Sequence, residues 1–308
     1  MALDWIIRNQ LTILALLLFF ILAIAGLLYF RYRKHVKFSA IEKWLSQVAG
    51  LAVVPPMILG GGLSLASLEP IPKTSFLNLP EPICSKPANR KLLVFIHGWN
   101  GDPKDTWRSF PSLACADPRL SDVDVLVVNY PTYMVRRNVH LAELSDWLNK
   151  RLDATREFQR YERMAIISHS LGGLIGREMV INRQLAGNKR TFGLVISVAS
   201  PFQGADIGSL GAALNVSQPL AAEAKPGSSF LATLTTHWDR LTPRPRTHCY
   251  SSPGDQVVPS SSALSGCDDR TIHAYHWGHQ DLVKPNSSRD DRYALPVYAV
   301  AQFMASVR

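Results

Sequence analysis

A serine at residue 170 lies in a run of small residues that could form a sharp turn. The run Ser168-His-Ser-Leu-Gly-Gly173 connects an apolar, strand-like segment to a segment with helical spacing. At such a strand-to-helix turn a serine side chain is exposed for nucleophilic attack, and the residues two before and two after it must be small. The usual pattern is G-x-S-x-G, and Ser168 replaces its first glycine. We therefore expect Ser170 to be a nucleophile, with an ordinary Ser/Gly-rich turn as the alternative.

A serine nucleophile needs a general base. Of the nine histidines, three lie in or just after the last strand-like segment: His273 within it, His276 at its edge and His279 beyond it. His279 comes after Gly278 and begins a loop, from which its ring could reach a serine, so we expect His279 to be the base and keep His276 as the alternative. The regular spacing of the three histidines also resembles a zinc site. No nearby cysteine or H-E-x-x-H motif completes a ligand set, so we expect no metal and no other cofactor.

The base in turn needs a carboxylate that orients it. Asp255 lies in the segment 252–259, Ser-Pro-Gly-Asp-Gln-Val-Val-Pro, just after a predicted strand. A turn at the carboxyl end of that strand would place the carboxylate beside the histidine loop. We therefore expect Asp255 to orient His279, with Asp206, Asp268 and Asp269 as alternatives.

Acyl transfer also needs two backbone N–H groups that point at one developing oxyanion. We expect one from Leu171, at the positive end of the helix that follows Ser170. The second is expected from the loop His97-Gly-Trp-Asn-Gly101, which follows another strand-like run, and Trp99 is its predicted donor. The two glycines of this loop allow its backbone to turn towards the serine.

Short apolar runs rich in β-branched residues must position these groups. Continuous runs of this kind are typical of strands buried on both faces, as in a parallel sheet. Leucines at helical spacing predict a helix from residue 141 to 152, a second helix follows Ser170, and residues 289–307 predict a closing helix. The repeated β-α order predicts a doubly wound, mostly parallel α/β domain over residues 91–308. The predicted strands are 91–97, 123–129, 164–168, 194–198, 247–251 and 271–276.

Four motifs together resemble the α/β-hydrolase serine lipases and esterases, and most closely the GPI-inositol-deacylase-like branch. They are Phe95-Ile-His-Gly-Trp-Asn-Gly-Asp-Pro-Lys-Asp-Thr-Trp107, Ser168-His-Ser-Leu-Gly-Gly173, Asp255-Gln-Val-Val-Pro259 and Gly278-His-Gln-Asp-Leu-Val-Lys-Pro285. The resemblance covers residues 91–308. It implies an α/β-hydrolase fold, a catalytic triad in the chain order Ser170, Asp255, His279, and oxyanion donors at Trp99 and Leu171.

The chain departs from the pattern of this branch at two places. Ser168 stands where glycine is usual, and Ser200-Pro-Phe-Gln-Gly204 stands where the branch tends to have Thr-Pro-His-x-Gly. The second departure is expected to alter the substrate pocket.

The first thirty residues have the character of a membrane segment. Residues 9–30 carry no charge, and a helix over residues 11–30 would cover the hydrocarbon layer of about 30 Å. We therefore predict a transmembrane helix within residues 1–30. A cleaved signal peptide is the alternative, because Ala23-Ile-Ala25 resembles a cleavage site, but the apolar run continues beyond it.

A basic juxtamembrane segment, residues 31–47, follows and is expected to stay in the cytoplasm. Residues 48–68 are charge-free but interrupted by Pro55-Pro56 and three glycines, so they form either a second transmembrane helix or an interfacial segment. A second crossing would place the hydrolase domain on the non-cytoplasmic side. The proline-rich residues 69–90 predict an extended linker.

Four cysteines, in or just before the hydrolase domain, bear on its compartment. Two disulfides, Cys84–Cys115 and Cys249–Cys267, would be stable only in an oxidising compartment. The alternative is four unpaired thiols, as in many cytosolic enzymes. The even count and paired spacing favour the non-cytoplasmic side.

Composition excludes several classes of protein. The chain has 308 residues, 47% of them hydrophobic, and a net charge of +9. Charged residues make up 19%, which argues against a disordered chain. The excess positive charges are scattered rather than interleaved with aromatic residues, so we expect no nucleic-acid partner.

The leading hypothesis is a membrane-anchored serine hydrolase that cleaves carboxylic esters, with a lipid or acyl ester as substrate and the bilayer as partner. Residues 205–224 lie where lipases carry a lid, and they either cover the pocket or form a surface loop. One alternative is a catalytically inactive, membrane-tethered scaffold with the same fold. Another is an acyltransferase that uses the same triad but a different acceptor.

Overall fold

The structure is a computed structural model that describes residues 82–99, 101, 103–130, 140–188, 190–205, 219–273 and 276–306. The predicted membrane segment 1–30, the basic segment 31–47, the segment 48–68 and residues 69–81 of the linker lie outside these ranges. So does most of the lid-like segment, residues 206–218. Among the residues that the structure describes, no helix is long and apolar enough to cross a bilayer.

Six strands form one sheet in the order β2-β1-β3-β4-β5-β6, and every neighbouring pair is parallel. This confirms the predicted parallel sheet. Residues of β1 alternate between two apolar cores, one on each face, which explains why its sequence is continuously apolar. The strands are β1 (Lys91–Ile96), β2 (Val123–Val127), β3 (Arg163–His169), β4 (Leu194–Val198), β5 (Arg246–Ser251) and β6 (Asp269–Ile272).

Helices connect the strands and cover both faces of the sheet. The leucines at 141, 144, 148 and 152 are all buried in one core, as their spacing predicts. The closing helix packs in the other core, opposite to them. The helices are α1 (Pro103–Trp107), α2 (Phe110–Ala116), α3 (Leu141–Ala154), α4 (Leu171–Leu185), α5 (Pro219–Glu223), α6 (Ser229–Arg240), α7 (Ser260–Ala263) and α8 (Asp291–Ala305).

The last strand differs from its prediction over 271–276. β6 begins earlier, at Asp269, and ends at Ile272. It is the outermost strand and its residues are largely exposed, so polar residues such as Arg270 fit there. A search for continuous apolar runs misses such an edge strand, because only the side of the strand that faces the protein interior must be apolar.

Residues 82–90, which the sequence assigns to the linker, pack against the opposite edge of the sheet. Cys84 forms an antiparallel bridge with Val125 of β2. The fully buried Asp124 accepts hydrogen bonds from the Asn89 amide at 2.6 Å and the Tyr161 hydroxyl at 2.7 Å. These bonds hold the segment in place and cover the otherwise open edge of β2.

Both expected disulfides are present. Cys84 is bonded to Cys115 in α2, and Cys249 in β5 is bonded to Cys267, just before β6. The first ties the segment 82–90 to α2, and the second links β5 to the chain just before β6.

Candidate active site

Ser170 occupies a strained turn between β3 and α4. Its backbone has φ 54° and ψ −129°, a conformation that residues with a side chain rarely adopt. The Ser170 amide donates to the carbonyl of Val198 at 2.9 Å, which ties the turn to β4. Strain of this kind persists only where the surrounding structure enforces it, and it commonly marks a functional residue.

Two glycines allow helix α4 to approach the sheet closely enough to form this turn. A Cβ atom at Gly172 would lie 2.3 Å from the carbonyl oxygen of Ile96 and 2.4 Å from that of His97. A Cβ at Gly173 would lie 2.1 Å from the hydroxyl oxygen of Ser200. The small residues after the serine are therefore a steric requirement.

Ser168 replaces the usual glycine without leaving a buried polar group that lacks a hydrogen bond. Its side chain is fully buried, and its hydroxyl donates to the carbonyl of Ile196 in β4 at 2.9 Å. The neighbouring strand thus accepts the one polar atom that the substitution introduces.

We expect Gly172→Ala to destabilise the protein and lower its activity, because the added methyl group collides with backbone atoms that cannot rotate away. Overpacking costs about 1–3 kcal/mol in a tight core. Thermal unfolding measures the loss. Gly176→Ala in the same helix is the matched control, since its Cβ would contact Ile166 at an ordinary 3.5 Å. Equal melting temperatures for the two variants would contradict this account.

The strand order places the site at the point where the connections between strands change direction along the sheet. From β1 the chain continues to β2 on one side and then to β3 on the other, so the loops after β1 and β3 diverge and open a crevice at the carboxyl edge. Ser170 follows β3, and the loop with Gly98 follows β1. A Cβ at Gly98 would lie 2.7 Å from the Cβ of Ser170, so this loop lies directly against the serine.

The structure brings Ser170, His279 and Asp255 into one chain of hydrogen bonds. His279 Nε2 lies 2.9 Å from Ser170 Oγ, and His279 Nδ1 lies 2.9 Å from Asp255 Oδ2. The side chains of His279 and Asp255 are 10% and 1% exposed, so water barely reaches the pair. These are the residues that the sequence analysis selects as base and acid.

Asp255 is held as a carboxylate. Burial alone would raise its pKa, but the hydrogen bond and charge of His279 and the backbone amides of Val258 and Val257 lower the pKa below the usual value. Those two amides donate to the second carboxylate oxygen at 3.0 and 2.8 Å. An ionised carboxylate only accepts, so Nδ1 of His279 carries the proton and Nε2 is left to accept the proton of Ser170.

The alternative residues lie elsewhere. The side chain of His276 is exposed, and that of His273 is buried against Tyr250. Asp268 pairs with Arg244 and accepts from Thr247, while Asp269 lies beside His248. Asp206 lies outside the described residues, and within them no group of His, Cys, Asp or Glu is arranged to hold a metal ion.

The two predicted oxyanion donors flank the serine. Leu171 is the first residue of α4, where a backbone N–H has no acceptor within its own helix. Trp99 follows Gly98 and packs partly buried against the core. Behind this loop, the ring of Tyr130 stacks on His97 at 4.1 Å and its hydroxyl donates to the His97 carbonyl. The oxyanion roles of Trp99 and Leu171 stay predictions.

Sequence reasoning missed two residues that support the site: Tyr130, and His169 at the variable position of the serine motif. The sequence holds a weak signal for His169, because it is a titratable residue directly beside the candidate nucleophile. No local signal marks Tyr130, which lies 33 residues from its partner.

The comparisons with known proteins agree with this architecture. Residues 93–302 match the alpha/beta hydrolase family, whose model is called Abhydrolase_6. None of the curated proteins matches the chain.

Solved structures with a similar fold include several hydrolases. The mature Bacillus licheniformis lipase BlEst2 is 14% identical with a TM-score of 0.50, and the match covers 72% of this chain and 94% of that chain. The lin2722 gene product of Listeria innocua is 14% identical with a TM-score of 0.50, over 71% and 96% of the two chains. Phospholipase PlaB from Legionella pneumophila is 17% identical with a TM-score of 0.47, over 56% of this chain and 44% of its own, so this chain spans less than half of PlaB.

The similarity to solved structures at this level of identity concerns the fold alone. The family match extends over more than half of the chain and includes the serine turn, Asp255 and the loop that carries His279. The predicted α/β-hydrolase fold is thereby confirmed, and the chain belongs to the alpha/beta hydrolase family.

Proposed function

We propose that this protein is a serine ester hydrolase in which Ser170 is the nucleophile, His279 the general base and Asp255 the orienting carboxylate. The observation that carries the proposal is the unbroken chain of two 2.9 Å hydrogen bonds from Ser170 through His279 to Asp255. A fold alone does not imply an activity, but a scaffold without turnover has no need for this arrangement on a strained turn.

In the first half of the reaction, His279 Nε2 takes the proton of Ser170 as the serine oxygen attacks the ester carbonyl carbon. The carbonyl oxygen becomes an oxyanion, which the amides of Leu171 and Trp99 stabilise. Collapse of the tetrahedral intermediate breaks the bond to the alcohol, and His279 returns the proton to that leaving oxygen. The products are an acyl-enzyme and a free alcohol.

In the second half, His279 takes a proton from water as the water oxygen attacks the acyl-enzyme. The new tetrahedral intermediate expels the serine oxygen, which recovers the proton from His279, and a carboxylic acid leaves. Asp255 remains ionised throughout, because its role is to hold the imidazole and stabilise its positive charge.

The substrate class follows from the membrane-like N-terminal sequence. A hydrolase anchored by residues 1–30 would meet esters that reside in the bilayer, so we propose lipid or acyl esters. The motif resemblance to GPI-inositol-deacylase-like lipases supports the same class, although the segment 200–204 departs from that branch.

Covalent labelling tests the proposal. A fluorophosphonate should label the purified full-length protein on one residue, and mass spectrometry should locate the adduct on Ser170. Hydrolysis of p-nitrophenyl acetate, octanoate and palmitate should then reveal the preferred acyl length. A protein that takes no label and hydrolyses none of these esters would be a scaffold. Faster release of p-nitrophenol with an added alcohol, with the acyl ester as product, would indicate acyl transfer.

We further propose that the hydrolase domain lies on the non-cytoplasmic side, with residues 48–68 as a second span. The two disulfides support an oxidising compartment. Thiol alkylation of the denatured protein without reductant should modify none of the four cysteines, and alkylation after reduction should modify all four. Protease added to spheroplasts should digest the domain. Full protection with four alkylated thiols would place the domain in the cytoplasm.

A further inference from the structure

His169 connects the strand that carries the serine to the loop that carries the base. His169 is the last residue of β3 and is only 2% exposed. Its Nε2 lies 2.9 Å from the backbone carbonyl oxygen of His279. A carbonyl oxygen only accepts, so His169 Nε2 carries a proton and donates it. The two imidazole rings lie 4.8 Å apart.

This bond closes a ring of contacts around the base. His169 and Ser170 are consecutive residues, and each holds a different end of His279. His169 holds the backbone carbonyl, and Ser170 meets the tip of the imidazole. With both ends attached to one rigid strand end, the distance between serine oxygen and base nitrogen cannot drift without breaking one of the two bonds.

We propose that His169 is a positioning residue for the base: its Nε2–H fixes the His279 backbone so that the imidazole stays within hydrogen-bond reach of Ser170. The inference rests on the proposed function, since it assigns a role relative to that nucleophile and base. His169 itself touches neither the substrate nor the reacting atoms in this role.

The surroundings of His169 suit such a role. The edge of the fully buried Trp107 meets its ring at 6.5 Å, which restricts the ring on another side. Burial, together with the charge of His279, lowers the pKa of His169 to about 3. The residue is therefore neutral near pH 7, and it places no positive charge beside His279 when that ring becomes protonated during the reaction.

The test compares three single variants of the full-length protein. His169→Leu removes the donor, and His169→Gln keeps an N–H donor at a similar reach. His273→Leu is the matched control, because His273 is also a buried histidine, packed against Tyr250 and Trp277. Each is measured for the rate of fluorophosphonate labelling, for kcat and KM on a p-nitrophenyl ester, and for melting temperature.

We expect His169→Leu to lower kcat and the labelling rate by about 10- to 100-fold with KM nearly unchanged, since a small misplacement of a catalytic group has that effect. His169→Gln should recover most of the rate. His273→Leu should lower the melting temperature but leave kcat within about threefold, because its ring packs on Tyr250 and Trp277 rather than on a member of the triad.

A wild-type rate in His169→Leu would overturn the inference, as would an equal loss of kcat in His273→Leu or a His169→Gln variant as slow as His169→Leu. If His169→Leu does not fold, His169→Asn replaces it. Its shorter amide cannot reach the His279 carbonyl and should be slow where glutamine is fast, and equal rates would overturn the inference. A wild-type protein that takes no label would overturn the proposed function itself, a result distinct from a labelled wild type with an unaffected His169→Leu.

Discussion

Replacing Ser170 by alanine is expected to lower ester hydrolysis by about 10⁴- to 10⁶-fold, the range typical of serine nucleophiles that act within a triad. The physical reason is that, among the residues that the structure describes, the Ser170 hydroxyl is the oxygen bonded to His279 Nε2, at 2.9 Å. Without it, we expect no acyl-enzyme to form. The measurement is kcat/KM on a p-nitrophenyl ester, together with the complete loss of fluorophosphonate labelling.

The fold should tolerate this change, since alanine is smaller than serine and the turn is held by backbone bonds. Ser145→Ala is a suitable control. That serine is also buried, but its hydroxyl donates to the Leu141 carbonyl within α3. It should cost about 1 kcal/mol of stability and leave turnover unchanged. Wild-type hydrolysis by Ser170→Ala would show that the nucleophile is a different residue.

Replacing His279 by alanine is expected to be about as damaging as replacing the serine, because members of a triad act as a unit. The change removes the group proposed to take the serine proton and leaves the Asp255 carboxylate, 1% exposed, without its hydrogen bond to His279. The truncated side chain also leaves a space the size of an imidazole ring beside Ser170. Added imidazole should therefore restore part of the rate, and the restored fraction should rise with its concentration.

His276→Ala is the matched control for this variant, since His276 lies three residues earlier and has an exposed side chain. It should keep near wild-type turnover. The opposite pattern, an active His279→Ala and an inactive His276→Ala, would assign the base to His276 and contradict the hydrogen-bond chain.

Features that depend on near neighbours in the chain were predictable from the sequence. The leucine spacing of α3 predicts its buried face because helical geometry repeats within a few residues. The small residues around Ser170 predict a tight turn because the collisions they avoid, at Gly172 and Gly173, involve the strand and helix that the motif itself joins.

Contacts between distant segments were less accessible. Sequence reasoning ranked Asp255 above Asp268 and Asp269 from its place after a strand, but the distance to His279 depends on how β5 and β6 pair. The bonds of residues 82–90 with β2 are of the same kind. Each edge strand offers unpaired backbone groups, and nothing in the sequence of residues 82–90 indicates which edge of the sheet they cover.

The sequence by itself determined the class of fold and the serine turn, and it placed Ser170, Asp255 and His279 first among the candidate residues, because each of these follows from local periodicity, local sterics or chain order. Only the tertiary structure decided that His279 is held at both ends by two consecutive residues, His169 at the end of β3 and Ser170 in the turn after it. It also decided that Ser168 finds its acceptor in β4. The physical reason is that these bonds join segments 28 to 110 residues apart. Such segments meet only when the whole sheet assembles, and hydrogen bonds need their atoms placed to within a few tenths of an ångström.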